Sequence, residues 1–165
     1  MPLELPTGSP CFIDTNVLYF HFVRVTGVSE HCTNLLRRVE AGELTAHAAP
    51  HVLADAVHKV MLYEAAVRFE RARPGLTGWL ESDPERVKEL RWHREAAADL
   101  FALPFRLLQP TLDDLRAAVA ITAETGLLTN DALIVALMRR HGILDLATND
   151  ADFLRVPGLR VWMPR

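Results

Sequence analysis

The chain has no excess of positive charge. Eighteen Lys and Arg face 21 Asp and Glu, a formal net charge of -3 with a pI near 6.1. The overall basic field of a bulk nucleic-acid binder is therefore missing, and a polyanionic partner has to be met by local patches. Only two cysteines occur, Cys11 and Cys32, without CxxC spacing. That argues against a disulfide framework and for buried structural thiols in a reducing compartment. No apolar run approaches the roughly 18 residues of a membrane span. The opening "MPLELPTGSP" has no basic region followed by a long apolar core, so a soluble, cytoplasmic protein is expected. Repeats, low-complexity tracts and linker-like shifts of composition are missing too. The 165 residues, half of them hydrophobic, therefore read as one domain, 1–165.

Short apolar runs alternate with helical periodicity. "PCFID" reads as a first strand, and "SEHCTNLLRRVEAG" as a helix with Ser29 as N-cap, Leu35, Leu36 and Val39 inward, and Gly42 beyond its end. "ELTAHAAP" suits a second strand. The helix from Pro50 carries Leu53, Val57, Val60 and Met61 on one face. Such alternation predicts an α/β fold with a central, mainly parallel sheet flanked by helices. From about residue 63 to 103 a charge-rich pattern, broken at "RPGLTG", suggests a helical hairpin beside the sheet. "FRLLQ" then reads as a strand, Thr111 as the start of a helix with Asp113 and Asp114 in its first turn, and "TNDALIVALMRRHG" as a further helix. "ILDLAT" and "LRVWM" are the last strands, on either side of the acidic turn "NDADF".

Chemistry concentrates in four places. Asp14 follows the first strand, Asp55 lies in the helix after the second, Asp131 sits in the first turn of "TNDALIVALMRRHG" beside Asn130 as its N-cap, and Asp150 and Asp152 follow "ILDLAT". In a doubly wound sheet the carboxyl ends of parallel strands share one edge, so these acids can converge there. Taken singly, each also reads as a helix cap or a turn residue. Carboxylates gathered without basic neighbours raise one another's pKa, and a cation relieves that repulsion. Oxygen-only ligands point to magnesium or manganese rather than zinc. One zinc-compatible face exists, with His51, Asp55 and His58 at i, i+4 and i+7, but no fourth ligand accompanies it.

"FIDTNVL", "TNDALIVALMRRHGI" and "LATNDADFLRVPGLRVW" resemble the motifs of PIN-domain nucleases, particularly VapC-type toxin ribonucleases of type II toxin-antitoxin systems. The resemblance implies a PIN-like domain. Asp14 and Asp131 would be its principal metal ligands, Asp150 would complete the acidic cluster, and Asp152 would be a nearby fourth or outer-shell acid. Thr148 and Asn16 would orient these carboxylates. The family's second acid is usually glutamate. Asp55 stands in that place here, with a reach shorter by roughly 1.5 Å, about one bond length. The implied activity is Mg2+- or Mn2+-dependent hydrolysis of RNA phosphodiester bonds, leaving a 5′-phosphate and a 3′-hydroxyl, with an antitoxin protein and a homodimer as expected partners.

An acidic pocket that admits a phosphate backbone calls for cations around it. The candidates are Arg68, Arg71 and Arg73, and Lys88, Arg91 and Arg94 with Trp92 as a stacking surface. Glu70, Glu85, Glu89 and Glu95 intervene, and an ordinary solvated hairpin with Trp92 in its core is the competing reading. Two rival functions remain. A phosphohydrolase with Asp14 as nucleophile lacks the usual second Asp, since Asn16 stands there. A PIN fold that binds RNA or protein without cutting draws its support from Asp55.

Overall fold

A computed structural model describes residues 1–164. Strand β1 (Pro10–Ile13) lies at the centre of a five-stranded parallel sheet of order β3-β2-β1-β4-β5, with β2 at Thr45–Ala48, β3 at Arg106–Leu107, β4 at Asp145–Ala147 and β5 at Arg160–Trp162. The sheet is as expected. Its central strands are covered on both faces, and Cys11, Phe12, Ile13, Leu146 and Ala147 are wholly buried, which is why they read as continuous apolar runs rather than alternating ones. Both cysteines are free and buried, and burial pushes each thiol up to about 12.

Among the described residues eight helices flank the sheet: α1 (Thr15–Phe22), α2 (Ser29–Glu40), α3 (Pro50–Arg68), α4 (Leu76–Glu81), α5 (Pro84–Glu89), α6 (Trp92–Ala102), α7 (Leu112–Thr125) and α8 (Thr129–Arg140). A 3-10 turn over Ala151–Arg155 joins β4 to β5. Thr111 caps α7 through a reciprocal pair with Asp114. Gly126, at φ 73°, ends α7 in the left-handed conformation that glycine adopts freely, and this turn delivers the first residues of α8 to the sheet edge.

Three local expectations are corrected. Ser29 is the first residue of α2 rather than its cap; its hydroxyl instead accepts from the Val25 amide at 2.8 Å and donates to the Val23 carbonyl, closing the preceding loop. Asn130 is likewise inside α8, whose cap is Leu128. The expected hairpin is the end of α3 followed by three short helices, α4 to α6, because Asp83-Pro84 starts a new helix and Glu64 starts another. Glu64, 2% exposed on α3, accepts the Arg91 amide at 2.9 Å and the Trp92 amide at 2.7 Å, satisfying the free N–H groups at the start of α6.

Asp145 and Arg160 face each other directly in the β4–β5 register. Arg160 Nε donates to Asp145 Oδ1 at 2.7 Å, its Nη2 to Oδ2 at 2.5 Å, and Trp162 Nε1 also reaches Oδ1 at 2.8 Å. These partners hold the Asp145 carboxyl below the usual range despite its burial. Among the described residues, no single helix is long and apolar enough to cross a membrane.

Candidate active site

The chain steps outward from β1 through β2 to β3 and then returns to place β4 on the other side of β1, so the carboxyl ends of β1 and β4 open beside each other where the strand order reverses. Asp14 ends β1 and caps α1. Its amide donates to the Ala147 carbonyl of β4 at 3.0 Å. Its side chain accepts from the Thr15 amide at 2.6 Å on Oδ1 and from the Thr148 hydroxyl at 2.7 Å on Oδ2. Thr148 is committed to that donation. Its own oxygen already accepts from Asn16 Nδ2 at 3.2 Å and from the Asp150 amide at 3.0 Å, which occupies both lone pairs. Asn16 Oδ1 in turn accepts from the Asn149 amide at 2.7 Å. "DTN" after β1 and "TND" after β4 thus interlock through a closed hydrogen-bond circuit.

Asp14, Asp55, Asp131 and Asp150 all line one cleft of about 110 Å³, together with Asn16, His51, Lys59 and Asn130. They come from four places: the end of β1, the second turn of α3, the first turn of α8 and the loop after β4. Asp14 is 5% exposed, and burial drives its carboxyl from 3.8 up to about 6, with Asp131 adding to the rise while Thr148, Thr15 and Lys59 pull against it. Asp131 is raised as well, first by burial and then by the Asp150 charge, with Lys59 opposing and Asp152 and Asp55 adding. The cleft therefore holds acids in an environment that disfavours their charge. Lys59 is the one lysine or arginine among its described lining residues, and it is tied to Asp55 at 3.0 Å.

The family model for the PIN domain matches residues 11–159. The chain belongs to the PIN-domain family. Solved structures with a similar backbone include a toxin-antitoxin complex from Klebsiella pneumoniae, at 19% identity over 94% of this chain and 98% of that one, with a TM-score of 0.55. VapBC2 from Rickettsia felis, bound to a DNA fragment from its promoter, matches at 16% identity over 92% and 96%, TM-score 0.53. VapC20 from Mycobacterium tuberculosis, a toxin that cleaves the sarcin-ricin loop, matches at 18% identity over 90% and 96%, TM-score 0.56. At such identities the likeness concerns the fold. No curated protein matches the sequence.

In this PIN fold the structure gathers Asp14, Asp55, Asp131 and Asp150 and leaves Asp152 outside the cleft wall. Asp152 caps nothing in the cleft; it forms an ion pair with Arg155 one turn on, and only its charge is felt at Asp131. Among the described residues no three His, Cys, Asp or Glu side chains stand close enough to form a ready-made ligand set. The donors nonetheless fit magnesium in kind, since that ion keeps several waters and takes one or two carboxylates rather than a full protein cage. The zinc-compatible face does not assemble: His51 lines the cleft, whereas His58 is exposed.

The expected PIN rim cations do not surround the cleft. Arg68 pairs with Glu89 at 3.1 Å and Lys88 with Glu85 at 2.6 Å, both on exposed ground. Arg94 donates to the Lys88 carbonyl, Arg91 presents its amide to Glu64, and Arg71 lies 4.6 Å from the Trp79 ring. Trp92 is 43% exposed and leans on Tyr63 at 6.1 Å between ring centroids, so it is neither core nor fully free. Of the other cleft residues, the sequence offers His51 only as part of a zinc-compatible face and Asn130 only as a cap. Lys59 is legible from its i+4 relation to Asp55, as an ordinary helix pair rather than a site residue.

Proposed function

We propose that this protein is a metal-dependent endoribonuclease and the toxin of a toxin-antitoxin pair, acting in the cytoplasm as one domain over residues 1–165. One observation carries the reading: four carboxylates from four separate elements line a single cleft that contains one lysine or arginine. Mg2+ or Mn2+ would be held by Asp14, Asp131 and Asp150, and when bound supplies an activated water and stabilises charge on the phosphate. The protein's own contribution is positional. Thr15 and Thr148 fix both oxygens of Asp14, and Asn16 and Thr148 lock the Asp150 loop to α1. A carboxylate of the cleft that the ion leaves free would help take the proton from the attacking water. Lys59 compensates the phosphate as it enters.

The antitoxin partner is supported by the assemblies in which similar folds occur, a toxin-antitoxin complex and VapBC2. A homodimer belongs to the same reading, and exposed apolar side chains are available to it at Leu112, Leu115 and Val119 along α7, as well as at Val67 on α3 and Phe101 on α6.

The test is incubation of single-stranded RNA with the purified protein in Mg2+, in Mn2+ and in EDTA, with analysis of product ends. Metal-dependent cleavage leaving 5′-phosphates is expected, and RNA left intact in every condition overturns the proposal. A second reading, a PIN fold that binds without cutting, is favoured by the Asp55–Lys59 pair, which keeps the one shortened acid occupied. Calorimetric magnesium binding that is lost on Asp14→Asn counts against it.

A further inference from the structure

The acidic cleft has a neighbour of opposite character. A second cavity, about 230 Å³, shares Asn16 and Lys59 with it and is otherwise lined by Tyr19, Phe20, Leu62, Arg73 and Leu76. Its walls are aromatic and aliphatic, its charges are both positive, and none of its described lining residues is a carboxylate. The Tyr19 and Phe20 rings lie 5.3 Å apart at 49°. Arg73 donates to the Tyr19 hydroxyl at 2.5 Å and sits 5.9 Å from the ring centroids of both Tyr19 and Tyr63. Those contacts hold the guanidinium in place, yet it makes no ion pair among the described residues. Asn16 spends one Nδ2 proton on Thr148 and keeps its second at the shared wall.

We propose that this cavity is a nucleobase subsite, taking one unstacked base of the RNA strand next to the scissile phosphate, with Lys59 and Arg73 meeting the flanking phosphates. The proposal rests on the nuclease reading above and names how its substrate is held. An aliphatic side chain could fill the apolar part but would leave Arg73 without an anion. A nucleotide uses both halves, the base on the ring faces and the phosphate on the cations. The cavity is smaller than the roughly 300 to 1,000 Å³ of ordinary ligand pockets, so it suits a single ring system rather than a dinucleotide. A base paired in a helix cannot enter it, which assigns the substrate to single-stranded or looped RNA.

The experiment is steady-state cleavage of a short single-stranded RNA by the full chain with Mg2+, comparing wild type, Phe20→Leu and Arg73→Gln. A parallel series of RNAs carries an abasic residue stepped through the positions around the cut. Each variant is expected to raise KM about tenfold, the scale of one lost base–aromatic contact, with kcat little changed. One abasic position should reproduce the Phe20→Leu loss in wild type and add nothing further in that variant, whereas the Arg73→Gln loss, made at a phosphate, should persist on that RNA and shrink as salt is raised. Phe20→Met, closer in volume, takes the place of Phe20→Leu should that variant melt early. Variants that match wild type on intact RNA overturn the subsite. So does a Phe20 loss that persists undiminished on every abasic RNA, an outcome that leaves the cavity to an apolar side chain of a protein partner. Failure of wild type to cut any RNA removes the nuclease reading itself, a result separable from the other two.

Discussion

Neutralising Asp14 should reverse a pH-dependent strain. With a carboxyl at about 6 in the folded chain against 3.8 for the ordinary group, ionised Asp14 costs the native state about 3 kcal/mol, at about 1.36 kcal/mol per tenfold preference. Below pH 3.8 both states are protonated and the cost is zero. Between 3.8 and about 6 the unfolded chain ionises while the native one keeps its proton, so raising pH draws the equilibrium toward unfolding. Above 6 the full penalty applies. Asp14→Asn removes this pH dependence but brings a mismatch of its own. The new Oδ1 can accept the Thr15 amide, but Nδ2 then faces a Thr148 hydroxyl whose lone pairs belong to Asn16 and Asp150. That loss costs about 1 to 3 kcal/mol at every pH.

The difference in unfolding free energy, Asp14→Asn minus wild type, should therefore climb by about 3 kcal/mol from pH 4 to pH 7 in EDTA. It begins negative and ends near zero or positive. Urea unfolding of both proteins across that range measures it. The difference is the informative quantity, because His21, His47, His51 and His93, all held low by burial, contribute an opposing slope that is common to both proteins. At pH 7, magnesium at about a hundred times its dissociation constant should stabilise wild type by about 2.7 kcal/mol and leave the variant unmoved. A difference constant within about 0.5 kcal/mol across the range refutes the reasoning, since non-interacting effects add to that precision.

Asp131→Asn should leave the metal-free protein as stable or more so, because burial and Asp150 both oppose its charge; a lowered Tm in EDTA would assign Asp131 to helix capping instead. Asp55→Glu should maintain or raise cleavage at limiting magnesium, and Asp55→Ala should weaken metal dependence several-fold, within the roughly 10- to 100-fold of outer-shell metal partners; superimposable magnesium titrations for both variants and wild type would exclude Asp55 from the site. Asp145→Ala should cost about 2 to 3 kcal/mol in urea unfolding. That is below the 3 to 5 of a fully buried broken pair, because Arg160 is half exposed. A change under about 0.5 kcal/mol would contradict that account of the β4–β5 pairing. Light scattering at micromolar concentration should give a dimer mass that falls to the monomer on Leu115→Lys and Val119→Lys in α7, and a wild-type monomer would contradict the dimer.

What could be read from the sequence was whatever local pattern determines. Continuous apolar runs gave the strands, because a parallel sheet covered on both faces asks the same of every residue in it. Asp14, Asp131 and Asp150 were legible because strand ends and first helical turns share one edge of such a sheet. Whether Asp152 was a fourth wall acid or an outer one could not be read, since turn composition does not say which side of a 3-10 turn faces the cleft; Arg155, three residues on, pairs with it, and its charge still reaches Asp131. The breaks within the hairpin region escaped for a different reason: the start of α6 depends on Glu64, 27 residues before the Arg91 amide it accepts, and no window of periodicity spans that. Asp145 sits inside a strand, where a charge looks anomalous until Arg160 is placed opposite by the register. Arg68 and Lys88 follow the same logic, since they find Glu89 and Glu85 as ordinary surface pairs.

The central claim is that the cleft between the ends of β1 and β4 hydrolyses RNA through its carboxylates and a divalent ion. It is tested most directly by a cleavage time course of one single-stranded RNA with wild type, Asp14→Asn and Asp131→Asn, each shown folded by circular dichroism, in Mg2+ and in EDTA. The account predicts cutting by wild type in Mg2+ alone and none by either variant. Undiminished cleavage by both variants, or cleavage by wild type in EDTA, would contradict it.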